Sequence, residues 1–346
     1  MKTTFTILGL AAAAILVISC NSNQNKMKSD DKTIKAIDLA DLDTTVSPAD
    51  DFYQYATGGW QKSHPLPDEE SRFGAFDLLA KETNQKVNDL ITGLTEKENA
   101  VNSIEWKIAT FYSLGMDTAR IEKDAFKPVE NLIASIDDIK SHDDVLASIA
   151  DFHRKGISTA FVLFGSADSK DSKMEIAYLY QGGLGLPNRD YYTSDDARSQ
   201  EIRAEYKQHI AKMFTLYGEE KANAQKIADK IIAFEHKLAE VSMTNLELRD
   251  PYATTNRMKQ DEINKLSPDF NFDKYFELIG LPKQEIINVS QPEFFKTFSK
   301  IFSETDIVTW QLYLKWNVIN MSAPYLQKDI EYADWEFYGK FLTGAL

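Results

Sequence analysis

From Ser71 to Leu94 the chain reads SRFGAFDLLAKETNQKVNDLITGL, with Phe76, Leu79, Thr83, Val87 and Leu90 recurring at intervals of three and four. That period lays these residues along one helical face, whereas a half-buried strand would alternate every second residue. Ser71 or Asp68 is placed to cap this helix. The same spacing returns at Ile104, Ile108, Phe111 and Leu114, and a further helix starts near Pro128. SHDDVLASIADFHRKG runs from a Ser141 cap to a stop at Gly156. Helical periodicity then holds from about Asp195 to Met243, with a break at Gly218. Shorter helices are expected at Phe272 to Ile279, Pro292 to Phe302 and Thr305 to Met321. Only TAFVLFGSAD and MEIAYLYQGG, joined by SKDSK, have the β-forming composition of a hairpin. The fold class is therefore mainly α: a large multi-helix lobe with a small β-hairpin element.

With 346 residues, 43% of them hydrophobic, the chain is long enough to bury a large core. Its formal charge of -14 disfavours binding to nucleic acid, which needs clustered Lys and Arg. The N-terminus carries Lys2 and then the apolar run FTILGLAAAAILVIS, the pattern of an export signal. The run ends in Val17-Ile18-Ser19-Cys20, which resembles the bacterial lipoprotein signal motif, with Cys20 the lipidated residue. Cys20 is the sole cysteine, so the chain forms no internal disulfide and no thiolate metal cluster. Residues 1–20 are read as the signal peptide, 21–45 as a flexible polar tether, and 46–346 as the folded domain. The expected location is the bacterial cell envelope, lipid-anchored, on the periplasmic side or the cell surface. Near the start of that domain stands ADDFYQYATGGW, with four aromatics and a Gly-Gly pair. It reads as too glycine-rich for a helix. Gly58 and Gly59 are expected to turn the backbone sharply, while Phe52, Tyr53, Tyr55 and Trp60 pack as a clasp between lobes.

The residues do not compose a catalytic constellation. The histidines are His64, His142, His153, His209 and His236, and none has the i, i+4 partner of an H-E-x-x-H zinc helix. His142 and His153 are eleven residues apart, roughly 16 Å along one helix, too far to share an ion. His236 and Glu240 share a helical face and read as a solvated surface pair. No G-x-S-x-G elbow is present. QGGLGLPNRDYY lacks the lysine-serine pair of a phosphate loop and runs into Pro187. Gly182, Gly183 and Gly185 are expected to take positive φ there. Arg189 and Asp190 are expected to pair beneath Tyr191 and Tyr192, a structural role.

Taken in order, DDFYQYATGGW, PLPDEESRFGAFDLL, GGLGLPNRDYY, FEHKLAEVSMTNLELRDPYATTNRM, YLKWNVINMSAPYL and WEFYGKFLTG resemble the N-terminal half of the neprilysin and endothelin-converting-enzyme family of zinc metallopeptidases. The resemblance covers about Val46 to the last residue. It implies a helical, two-lobed ectodomain around a cavity that admits oligopeptides. It also implies Zn2+ in the complete enzyme, held by H-E-x-x-H and a downstream glutamate, with a glutamate activating the zinc-bound water. Those motifs are not in this chain, so the resemblance implies that it has no catalytic residue and no metal ligand, and is inactive alone for want of the zinc-bearing catalytic lobe. One functional position carries over. The family phrase of the SRYGNFD type stands here as Ser71 to Asp77, which places the arginine that meets a substrate's C-terminal carboxylate at Arg72, and a supporting aspartate at Asp77. A planar guanidinium suits that task, because it can meet a carboxylate with two charge-assisted bonds. Animal members carry cysteines where this chain has Ala49 and Thr57, and Thr254 to Asn256 also departs from the usual phrase. The first stretch of such chains packs on the catalytic lobe, so this chain alone is expected to expose an apolar face and aggregate. A different reading is a non-catalytic surface lipoprotein that uses the helical lobe to bind peptide or protein.

Overall fold

The computed structural model describes residues 37–344. The signal segment 1–20, Cys20 and the tether as far as residue 36 lie outside the described residues. The chain divides into two compact units, one ending at Pro65 and one running from Leu66.

In the first unit a 3-10 turn, Leu39–Asp41, lies against helix α1, Phe52–Ser63. Asp51 caps α1 by accepting from the Gln54 amide at 2.9 Å. Asp43, only 6% exposed, accepts from Lys62 Nζ at 2.8 Å and from the Thr45 amide at 3.1 Å. The Lys62 ammonium, ahead of the Thr45 donors, holds its carboxyl far below the usual range. Part of the segment expected as tether is thus folded onto α1. Gly58 and Gly59 do not turn the chain; they sit inside the helix. A Cβ on Gly59 would stand 2.1 Å from the Ala40 carbonyl oxygen, and one on Gly58 would stand 2.7 Å from Asp43 Cβ. Close approach of backbone to helix, rather than unusual φ, is what requires glycine here.

The second unit opens with α2, Ala75–Thr95, and α3, Ile104–Gly115. These two form a hairpin in which the Tyr112 hydroxyl donates to Asn88 Oδ1 at 3.3 Å. The N-cap of α2 is Gly74, without a side-chain cap bond, rather than Ser71 or Asp68. Short α4, Thr118–Asp124, leads to α5, Lys127–Asp137, and α6, His142–Arg154. Ser141 and Asp144 form a reciprocal capping box at the start of α6, and Gly156 ends it with φ +79°.

Strands β1, Phe161–Asp168, and β2, Asp171–Gln181, make the expected antiparallel hairpin, with Phe161 opposite Gln181 and an irregularity at Ala167/Asp168. Between them and the next strands come α7, Asp190–Thr193, α8, Ala197–Tyr217, and α9, Lys221–Val241. Gly218 breaks α8 from α9 with φ +117°. Two further strands escape sequence reading: β3, Arg257–Met258, and β4, Ile287–Val289. They extend the sheet to the order β1-β2-β4-β3, with β4 parallel to β2. Asn288 locks them in place, accepting from the Asn256 amide at 2.7 Å and donating to the Thr254 carbonyl at 2.9 Å. The chain completes its core with α10, Gln260–Leu266, α11, Phe272–Ile279, α12, Pro292–Glu304, and α13, Ile307–Ser322. α14, Lys328–Asp334, then runs into a π-helix, Trp335–Leu342.

The core is aromatic. Phe161 is fully buried and meets Phe270, Tyr275, Phe295 and Phe298 edge-on, with ring centroids between 5.2 and 5.7 Å apart. Burying each such ring stabilises by about 1.5–3 kcal/mol, and each good edge contact adds about 0.5–1.5 kcal/mol. The α2 and α3 pair is different. Phe76 is 88% exposed and Phe111 is 82% exposed, and Leu79, Leu90 and Ile104 also face solvent. The amphipathic stripe that defines α2 in the sequence is therefore present but uncovered among the described residues.

Candidate functional site

Arg72 lies in the extended segment that leads into α2, two residues before the Gly74 cap, and its side chain is exposed. Among the described residues no hydrogen bond or ion pair engages it. Asp77 is half-buried in the first turn of α2, where a negative charge complements the partial positive charge of the helix N-terminus. It lines a groove of about 470 Å³ together with Glu69, Glu70, Phe73 and Asn88. Arg72 does not line that groove, and no ion pair joins it to Asp77. The two candidate residues share a segment, and the unengaged guanidinium remains available to a carboxylate ligand.

Four of the six phrases that carry the chain's resemblance meet at a second place. Glu235, from FEHKLAEVS, is buried on α9 and accepts from Tyr192 Oη at 2.6 Å and from Tyr206 Oη at 3.0 Å. Tyr192, from the glycine-rich phrase, accepts in turn from the amides of Leu186, at 2.9 Å, and Gly185, at 3.2 Å. Trp316 Nε1 donates to Tyr206 Oη at 3.0 Å. Tyr338, from the π-helix, donates to the Gly185 carbonyl at 3.1 Å, and Tyr313 donates to the Gly183 carbonyl at 2.8 Å. Desolvation pushes the Glu235 carboxyl up to about 7, against the opposing pull of its tyrosine hydrogen bonds.

Of the three glycines in that phrase only Gly183 takes positive φ, at +83°. Gly185 is needed for space, since a Cβ there would stand 1.8 Å from the Tyr206 hydroxyl. Arg189 donates to the Ser242 carbonyl at 3.1 Å and comes only within 4.0 Å of Asp190. The one sequence signal for this cluster is a glutamate at a core position of an otherwise amphipathic helix.

The histidines are dispersed in structural roles. His153 is held between Tyr275 Oη, at 2.6 Å, and the Thr159 carbonyl, at 2.9 Å, and burial lowers its imidazole. His142 reaches the Thr305 carbonyl at 3.0 Å. His236 and Glu240 are an exposed pair at 3.8 Å. Among the described residues no three His, Cys, Asp or Glu side chains are grouped to hold a metal ion. The described residues thus compose no zinc centre. Also among the described residues, no helix is long and apolar enough to cross a membrane.

The fold as a whole is shared with a known enzyme class. It superposes on the zinc metalloprotease Zmp1 of Mycobacterium tuberculosis, solved with an inhibitor, with a TM-score of 0.84 and 29% identity, over 89% of this chain and 47% of that one. The architecture is thus one found within a zinc metalloprotease. Residues 48–346 match the N-terminal model of peptidase family M13, and the chain belongs to that family. Endothelin-converting enzyme 1 of Cavia porcellus is 28% identical over 314 residues, covering 86% of this chain and 41% of that protein. Neprilysin-3 of Drosophila melanogaster is 28% identical over 313 residues, covering 84% and 39% respectively. The chain thus spans less than half the length of the relatives it matches.

Proposed function

We propose that this chain is the N-terminal portion of a lipid-anchored zinc metalloendopeptidase that cleaves oligopeptides outside the cytoplasm, and that Arg72 binds the substrate's C-terminal carboxylate with Asp77 in support. The observation that carries this reading is the family match across residues 48–346, a span that includes the Arg72 phrase. Three features support it. Arg72 is exposed and unengaged, as a residue awaiting an anionic ligand must be. Apolar faces of α2 and α3 are open, as helices that pack on a further lobe would be. Phe52 and Tyr53 of α1 are likewise exposed, in keeping with a clasp on that lobe. Zinc, in this reading, is held entirely by residues of the remaining part of the enzyme. Anchorage at Cys20 follows from the sequence motif alone.

The test is a peptidase assay on the complete gene product, with Arg72→Ala compared against wild type. On peptides with a free C-terminal carboxylate, kcat/KM should fall about 10- to 100-fold, from loss of a charge-assisted bond worth about 1.5–3 kcal/mol. On C-terminally amidated peptides the two proteins should be nearly equal. An equal loss on both substrates would remove Arg72 from carboxylate recognition. A natural gene product that ends at Leu346 and binds peptide without cleaving it would instead favour a binding lipoprotein.

A further inference from the structure

A groove of about 610 Å³ lies between α8 and the π-helix, within the size range of small-ligand sites. Glu205, His209 and Lys212 recur on one face of α8, while Phe337, Lys340 and Phe341 line the opposite bank. Its wall is a stack of rings. His209 lies on Phe337 at 4.9 Å and 12°, and Phe337 lies on Phe341 at 5.9 Å and 23°. Arg198 stands over the Phe341 ring at 4.6 Å and donates to the Phe341 carbonyl at 3.2 Å, which fixes that end of the stack. The bank itself is π-helical over eight residues, a backbone form that is rare and frequent at functional sites.

The polar groups along the groove are unevenly satisfied. His209 is 4% exposed, and among the described residues its Nε2 has no hydrogen-bond partner. Asn320 and the Ala333 backbone lie close to the ring, yet neither satisfies Nε2, and Asn320 Oδ1 is itself left without a partner among the described residues. Burial keeps the imidazole uncharged, so Nε2 is a neutral hydrogen-bonding group that is costly to leave unmatched. Lys212 and Glu336 join the two banks by an ion pair at 2.7 Å. Glu205 and Lys340 stand exposed on opposite banks, and neither enters an ion pair among the described residues.

We infer that this groove binds a short peptide zwitterion: its ammonium on Glu205, its carboxylate on Lys340, an apolar side chain against the Phe337 and Phe341 rings, and its amide on His209 Nε2. Charge selects this class of ligand. A monoanion would meet Glu205 as well as Lys340, and a monocation would meet Lys340 as well as Glu205, whereas a zwitterion suits both banks at once. An uncharged hydrocarbon would cover the rings but leave Nε2 unmatched. An aromatic side chain gains most from the stack, because ring contacts add to the area it buries. Arg72 does not line this groove, and nothing here depends on the peptidase reading.

The test is calorimetric titration of the full-length protein with phenylalanyl-alanine in three forms: free, N-acetylated and C-amidated. Blocking either end should weaken binding about tenfold, the loss of one charge-assisted bond. Lys340→Ala should weaken the free dipeptide about tenfold and leave the amidated form unchanged. Glu205→Ala should weaken the free dipeptide equally and leave the acetylated form unchanged. Both side chains are exposed, so neither substitution threatens the fold. Equal affinity for all three forms, or no saturation by about 10 mM, would overturn the site. Binding that Arg72→Ala abolishes while Lys340→Ala and Glu205→Ala leave it intact would overturn it too. On saturation the nitrogen-15 resonances of the His209 ring should move and those of His153 stay, and unmoved His209 signals would remove Nε2 from the site.

Discussion

His209 is a base enclosed where a proton is unwelcome. Its ring stacks on Phe337 at 4.9 Å and meets the edges of Trp316 and Tyr338, and among the described residues its Nε2 has no hydrogen-bond partner. Burial, with a smaller contribution from the nearby Lys212 charge, holds the imidazole down at about 3. In the unfolded chain the same group titrates near ~6.5. Its contribution to stability is therefore present above about pH 6.5 and is lost as pH falls toward 3. His209→Gln should flatten the acid limb of the stability curve, recovering on the order of a few kcal/mol of slope between those limits. Urea midpoints at several pH values would measure this, and an unchanged acid limb would contradict it. Nothing in the residues around position 209 signals such burial, because the enclosing rings come from α13 and the π-helix, more than a hundred positions later.

At the scale of elements, legibility follows how local the cause is. The helix at Phe272–Ile279 and the break at Gly218 are readable because periodicity, capping and backbone conformation are decided within a few residues. The Ser141 cap is of this kind. Ser141→Ala should cost about 1 kcal/mol, within a range of about 0.5–2 kcal/mol, seen as a lower thermal midpoint without a change of fold. A destabilisation close to zero would mean that the packing of α6 holds its first turn unaided. By contrast, β3 and β4 contain two and three residues, too few to display a period. They exist because Asn288 and the edge of β2 supply partners from distant parts of the chain. The Gly58–Gly59 pair suggests a turn from composition alone, yet it lies in a helix against which the 39–43 segment presses. Arg72 was legible as a candidate only through the phrase around it. That no described residue engages it is a property of the folded chain.

For the molecule as a whole, the exposed stripe on α2 and α3 sets solution behaviour. Large apolar side chains that stay in water on two adjacent helices invite association with any complementary apolar surface. The 346-residue chain should form concentration-dependent oligomers, detected by light scattering. A monodisperse, cooperatively melting 346-residue chain would show that these faces need no cover. The sequence by itself determined the helical class, the hairpin, the Ser141 cap, the breaks at Gly156 and Gly218, and the family, because each rests on short-range spacing or on ordered phrases. Only the tertiary structure decided that four of those phrases converge on Glu235, that Gly185 makes room for Tyr206, and that no described residue engages Arg72. These are contacts between residues far apart in the chain, and burial and proximity exist only once the chain has closed on itself.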